Sequence, residues 1–257
     1  NNPGLETLPE YTGLAYPNTL EVLYITHNSI TFINGSFFIN MTNLKYLYLF
    51  NNRIVSLSDY MGLPAHPFSQ LTIIMVQNNR LQTLSQNLFN NIPYLQYFKA
   101  EAQNPKLITF PFIGPCKETL TELYLSDNAI EEIPFEAVQN DIDNETHTAK
   151  MALREFYIAN NKLKSIPNNV TDIMTNLYQV DIRQNPIEIF PDFGPAHRTL
   201  YKLFCSTFRP ETPWPVMSEF KILQMDKWQP TPVYPSPILP EALTNLTALT
   251  NFYFRNM

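Results

Sequence analysis

A chain of 257 residues, 44% hydrophobic and 16% charged, carries enough apolar material for a large core. A net charge of −6, a pI near 5.2 and the lack of any basic cluster argue against nucleic acid or an anionic membrane surface as partner. Twenty-two prolines against six glycines disfavour long helices and glycine-rich phosphate loops, and no apolar run approaches the roughly 18 residues of a membrane span.

In chain order, the opening segment NNPGLETLP reads as the second half of a unit, because it matches QNPKLITFP at 103–111. A pattern with apolar residues at offsets 0, 3, 5 and 10 and an asparagine at offset 8 then begins at Leu20 (Leu23, Ile25, Asn28, Ile30). It returns at Leu44 (Leu47, Leu49, Asn52, Ile54) and Leu71 (Ile74, Val76, Asn79, Leu81). A weaker copy starts at Leu95, with Phe98, Ala100 and Gln103 in place of Asn. Strong copies follow at Leu120 (Asn128), Leu153 (Asn161) and Leu177 (Asn185), and weaker ones at Leu200, Phe220 and Leu249. Successive starts lie 20 to 33 residues apart, most often 24.

Offsets 3 and 5 fall on one side of a short strand and offset 4 on the other. One such unit cannot bury its apolar edge, whereas a stack of them forms a parallel sheet with a continuous core behind it. The amide at offset 8 both donates and accepts, so the column Asn28, Asn52, Asn79, Asn128, Asn161 and Asn185 is expected to satisfy buried peptide groups between turns.

The LxxLxLxxNxL core resembles that of the leucine-rich repeat family, of the extracellular type, and covers nearly the whole chain. The resemblance implies an α/β solenoid: a right-handed superhelix with a parallel sheet on its concave face, and loops, 3₁₀ turns and short helices on its convex face. It implies one domain over 1–257, with about ten repeats and both ends falling mid-repeat, and a role in binding rather than catalysis. Two repeat flavours roughly alternate along the first half. One ends in FFINMTNL, LFNNIPYL or NNVTDIMTNL, suited to a short helix or 3₁₀ turn on the convex side; the other ends in proline-bearing loops such as GLAYPNTL and GPCKETL. Phe38 and Phe89 are placed for a convex-side aromatic spine.

Catalytic constellations are missing from the pattern: His27, His66, His147 and His197 sit in no HExxH, and there is no GxSxG, CxxC or GxxxxGK[ST]. His27 is expected at a concave position. NDIDNETHT at 140–148 spaces acids like calcium ligands but lacks the loop glycine, and reads as a solvated insertion. No metal or cofactor is therefore expected. Asn34, Asn40, Asn144, Asn169 and Asn245 begin N-x-[ST] sequons, none of them within a strand segment, so glycans would decorate the convex side and edges. Cys116 and Cys205 lie three repeats apart, beyond disulfide reach at about 5 Å per stacked strand. Cys205 is expected as a buried free thiol, and Cys116 as free or bonded outside this segment.

The expected interaction surface is the offset-4 column, in which Tyr24, Tyr48, Tyr124, Tyr157, Phe204 and Tyr253 are aromatic, widened by Tyr46 and Tyr97 at offset 2. The favoured reading is an extracellular glycoprotein recognising or adhering to a protein, or a glycan, through this face. The alternative is a structural subunit of an extracellular filament or matrix, built by end-to-end stacking of identical copies.

Overall fold

The computed structural model describes residues 2, 4–8, 17–38, 40–57, 70–139, 150–187, 191–193, 196, 198–206, 220–226 and 248–255. Ten strands form one parallel sheet in chain order: β1 Val22–Tyr24, β2 Tyr46–Tyr48, β3 Ile73–Met75, β4 Tyr97–Lys99, β5 Glu122–Tyr124, β6 Glu155–Tyr157, β7 Gln179–Asp181, β8 Lys202–Ser206, β9 Ile222–Asp226 and β10 Asn251–Arg255. The fold is the predicted solenoid. Pairing keeps the repeat offsets throughout: Leu47 faces Leu23 and Ile74, Phe156 faces Leu123 and Val180, and Leu223 faces Leu203 and Phe252. Register survives the 33-residue repeat at Leu120 and the 20-residue repeat at Leu200 alike, because a slip of one residue would turn every apolar side chain to the other face.

Behind the strands the offset columns become the core. Leu44, Leu71, Leu95, Leu120, Leu153, Leu177 and Leu200 at offset 0 are fully buried, as are Leu47, Leu49, Leu123, Leu125 and Ile158 at offsets 3 and 5. Phe38 and Phe89 are buried on the convex side, where Phe89 meets Phe98 edge to face at 5.0 Å. The opening segment docks as its match to 103–111 requires: Ser29 N–H donates to the Leu5 carbonyl, as Ala129 N–H does to that of Leu107.

Among the described residues the convex side carries two helices, α1 Phe135–Val138 and α2 Asn168–Ile173. The proline-bearing stretches depart from the expectation of plain loops, since Pro17–Thr19 and Gly114–Cys116 are 3₁₀ turns. Proline supplies a helical φ and lacks the N–H that a first turn leaves unused, so it opens such turns readily. LFNNIPYL, expected to form a short helix or 3₁₀ turn, makes turns only.

At the exposed end of the asparagine column Asn28 donates to Thr26 O and accepts from Asn2 N–H, while the buried members bond across turns. Asn52 Nδ2 donates to the carbonyls of Ile25 (2.7 Å) and Leu49 (3.0 Å), while its Oδ1 accepts from Ile30 N–H (3.3 Å). Asn79, Asn161 and Asn185 repeat the scheme, with Oδ1 always on the offset-10 N–H of the preceding turn (Ile54, Ile130 and Leu163, each 3.0 Å). Gln103 substitutes for Asn and bonds Val76 O and Leu81 N–H. In its repeat the offset-10 position is Pro105, which has no N–H, so Asn128 Oδ1 accepts instead from Gln103 and Leu107 N–H, at 3.3 and 3.2 Å.

One regularity went unread in the sequence. The residue at offset 7, where the chain leaves the strand, has positive φ in seven turns: His27, Asn51, Asn78, Ala102, Asp127, Asn160 and Gln184, all between 53° and 63°. Asn and Asp tolerate this region best, which explains the doublets Asn51–Asn52, Asn78–Asn79 and Asn160–Asn161. The first asparagine makes the turn and the second enters the buried ladder. His27 accordingly belongs to a turn rather than to the strand face, with Nε2 2.8 Å from Asn51 Nδ2.

Candidate functional site

Offsets 2 and 4 of each strand point away from the core and form the strand face. In a parallel sheet, neighbouring strands lie about 4.8 Å apart, close to the spacing of stacked rings, so identical offsets bring aromatics face to face. Tyr24 and Tyr48 stack at 4.5 Å and 8°, and Tyr124 and Tyr157 do the same. Tyr97 tilts against Tyr124 at 5.0 Å.

The face therefore carries two separate tyrosine stacks, on β1–β2 and on β4–β6, with Met75 and Lys99 between them in the offset-4 column. Of these residues Tyr24 (66%) and Tyr253 (42%) are openly exposed, while Tyr46, Tyr48, Tyr97, Tyr124, Tyr157 and Phe204 are half-buried. Asp181 and Gln224, in the same column, are buried. Phe204 has the Arg183 guanidinium over its ring at 5.2 Å, and Tyr253 accepts from Asn251 Nδ2 at 3.0 Å.

The second stack is built into a polar network. Tyr124 Oη donates to Glu122 Oε2 (2.9 Å), with Glu155 Oε2 at 3.3 Å, and Tyr157 Oη donates to Glu155 Oε2 at 3.0 Å. Gln179 Nε2 donates to Tyr157 Oη at 2.6 Å. Burial, followed by the adjoining carboxylates, pushes the Tyr97 hydroxyl up to about 12 and those of Tyr124 and Tyr157 further up. These tyrosines therefore stay protonated and act as donors. Glu122, Glu155 and Gln179, all at offset 2, escaped a reading that weighed aromatic content in the offset-4 column; acidic residues at consecutive offset-2 positions were the available signal.

A further stack lines the edge at offset 1: Tyr178 and Tyr201 lie 5.1 Å apart, with Arg154 over the first ring and Lys221 over the second. Away from the strand face, Asn34 and Asn40 are exposed, as is Asn169 within α2. Asn34 Oδ1 accepts from Ser36 N–H, closing a turn. Asn144, Asn245 and the 140–148 segment lie outside the described residues. Cys116 and Cys205 are both free and buried, and burial pushes the Cys116 thiol up to about 12.

The stacked turns, the amide ladder and the strand-lined face define the class: the architecture is that of a leucine-rich repeat solenoid. Two descriptions of that family match it directly, "Leucine rich repeat" over residues 18–65 and again over residues 119–140.

Among its relatives, podocan of Mus musculus is 27% identical over 219 residues, which is 79% of this chain and 34% of podocan. Keratocan of Homo sapiens is 23% identical over 229 residues, 81% of this chain and 59% of keratocan. The chain thus spans about a third of the one and under two thirds of the other. The fold is shared with a chain of the octameric complex of Latrophilin 3, Unc5D and FLRT2 (LRR), at a TM-score of 0.60 and 17% identity, covering 98% of this chain and 78% of that one. No described helix is long and apolar enough to cross a membrane.

Proposed function

We propose that this chain is an extracellular, non-catalytic module that recognises another protein across its strand face. The observation that carries the reading is the pre-ordered aromatic surface. Tyr24–Tyr48 and Tyr97–Tyr124–Tyr157 are clamped by stacking, and Tyr124 and Tyr157 also by hydrogen bonds. Side chains already fixed lose little entropy on contact, and tyrosine couples apolar area to a polar tip. The extracellular setting is supported by the exposed sequons Asn34, Asn40 and Asn169, which would leave the strand face bare of sugar. The shared fold with a chain found in a multi-protein complex is consistent with a protein partner.

Two glycan-wedge variants test the reading. Tyr46→Asn/Tyr48→Thr places a sequon on the strand face, flanking buried Leu47; Arg53→Asn/Val55→Thr places one across the same turn, flanking buried Ile54. Both are secreted and tested, with the parent, against an array of extracellular proteins. The reading requires that the strand-face glycan removes binding and the other retains it. Equal binding by both would overturn it, and growth of the parent chain into rods on sizing would favour the filament alternative.

A further inference from the structure

Charge on the strand face of β4–β7 is distributed unevenly, and its arrangement indicates what the face receives. Lys99 and Glu101 neutralise each other at 2.8 Å, and Asp181 and Arg183 at 2.6 Å, each pair at neighbouring same-face positions of one strand and its exit. Between these internally compensated turns lie β5 and β6, whose Glu122 and Glu155 are direct partners in the register. Like charges directly opposed on adjacent strands destabilise a sheet. Among the described residues neither carboxylate has an ion-pair partner, and tyrosine hydroxyls reach only Oε2 of each. The fold thus holds two negative charges side by side, fixed by Tyr124 and Tyr157 and unneutralised, at the centre of the surface proposed for binding.

We propose that Glu122 and Glu155 together receive a cationic side chain, an arginine guanidinium foremost, from a segment of a protein partner. Carboxylates on adjacent strands stand about one strand spacing apart, near 4.8 Å. A planar guanidinium, with five donors in a fixed fork, spans that gap and bonds both, whereas a compact ammonium engages one at a time. Tyr97, Tyr124 and Tyr157 wall the position, and Lys99 and Arg183 on the flanking turns confine favourable contact to this pair. A divalent metal fits less well: such an ion takes about six to eight oxygen ligands, and no three acidic, His or Cys residues converge among the described residues. The inference rests on the binding reading above and supplies the chemistry of its ligand.

The probe is a short Ser/Gly peptide with one central arginine, displayed multivalently, beside the same peptide with citrulline, its neutral isostere. Surface plasmon resonance on the full chain is expected to give binding of the arginine peptide that weakens about tenfold with citrulline. Glu122→Gln/Glu155→Gln should abolish that difference and melt no lower than the parent, since opposed charges are relieved. Glu131→Gln/Glu132→Gln, which removes two exposed charges elsewhere on the solenoid, one of them paired with Lys162 at 3.3 Å, should preserve it. Indifference of the parent to citrulline overturns the inference whether or not either variant folds. Equal losses in the two double variants do so as well, by reducing the effect to net charge, and so does preference for calcium alone or for a sulfated glycan fragment. If the strand-face glycan removes a partner that Glu122→Gln/Glu155→Gln still binds, this inference falls while the binding reading stands.

Discussion

Removing the side chain of Asn128 should be among the most damaging single polar substitutions in the solenoid. Its amide is 2% exposed and reaches five backbone groups: the carbonyls of Ala100, Leu125 and Ser126, and the N–H groups of Gln103 and Leu107. In Asn128→Ala, Leu125 O keeps the bond from Asn161 Nδ2 and Ser126 O that from Ala102 N–H. Among the described residues, Ala100 O, Gln103 N–H and Leu107 N–H have no other bond to fall back on. Each buried group left unpaired costs about 1–3 kcal/mol, so with partial relaxation the variant should lose about 3–5 kcal/mol. That is a large part of the roughly 5–15 kcal/mol holding a domain together. At about 2–4 °C per kcal/mol for a chain of this size, the melting midpoint should fall by roughly 6–20 °C. Circular dichroism melts of Asn128→Ala beside Asn160→Gly make the test. The Asn160 side chain donates to the exposed Asp127 carboxylate at 2.7 Å, and glycine keeps its turn relaxed. Hydrogen exchange should also quicken at Gln103 and Leu107. Midpoints that fall equally in both variants would refute the claim that the buried ladder holds the turns together.

Ala102, at φ 53° in a position elsewhere filled mostly by Asn or Asp, should gain about 0.5–1 kcal/mol on replacement by glycine, read as a higher denaturation midpoint. Alkaline titration should erode stability. The Tyr97 hydroxyl sits near 12 when folded against 10 unfolded, so its contribution is whole below about pH 10 and is lost as pH rises towards 12, where the unfolded chain holds fewer protons. Tyr97→Phe, melted across that window, should show a flatter profile. Both thiols should resist a disulfide reagent in the native chain and react on unfolding, Cys116 because it is buried with its acidity suppressed and Cys205 because it is fully enclosed.

The parts of this architecture legible in the sequence are those fixed by burial. A leucine at offset 3 must face inward whatever its neighbours, so the strands, the in-register sheet, the enclosed Cys205 and the donor–acceptor role of the asparagines all follow from spacing. Features that depend on a neighbouring turn were not legible. The detour of Asn128 to Leu107 arises because Pro105 removes a donor one turn away. The tyrosines read as an exposed row split into two stacks, because Met75 and Lys99 interrupt the column and each ring screens the next. The pairing of Glu122 with Glu155 joins positions 33 residues apart, and its meaning emerges only once Lys99 and Arg183 are seen to be occupied at home.

Since every turn enters the sheet at the same offset whatever its length, loop growth at the back and substitution at the front are independent variables. A repeat can lengthen by nine residues, as between Leu120 and Leu153 against the usual 24, without moving a strand-face side chain out of its row. Such a lattice can be rewritten one site at a time, so its ligand preference is free to drift while the frame that displays it stays constant.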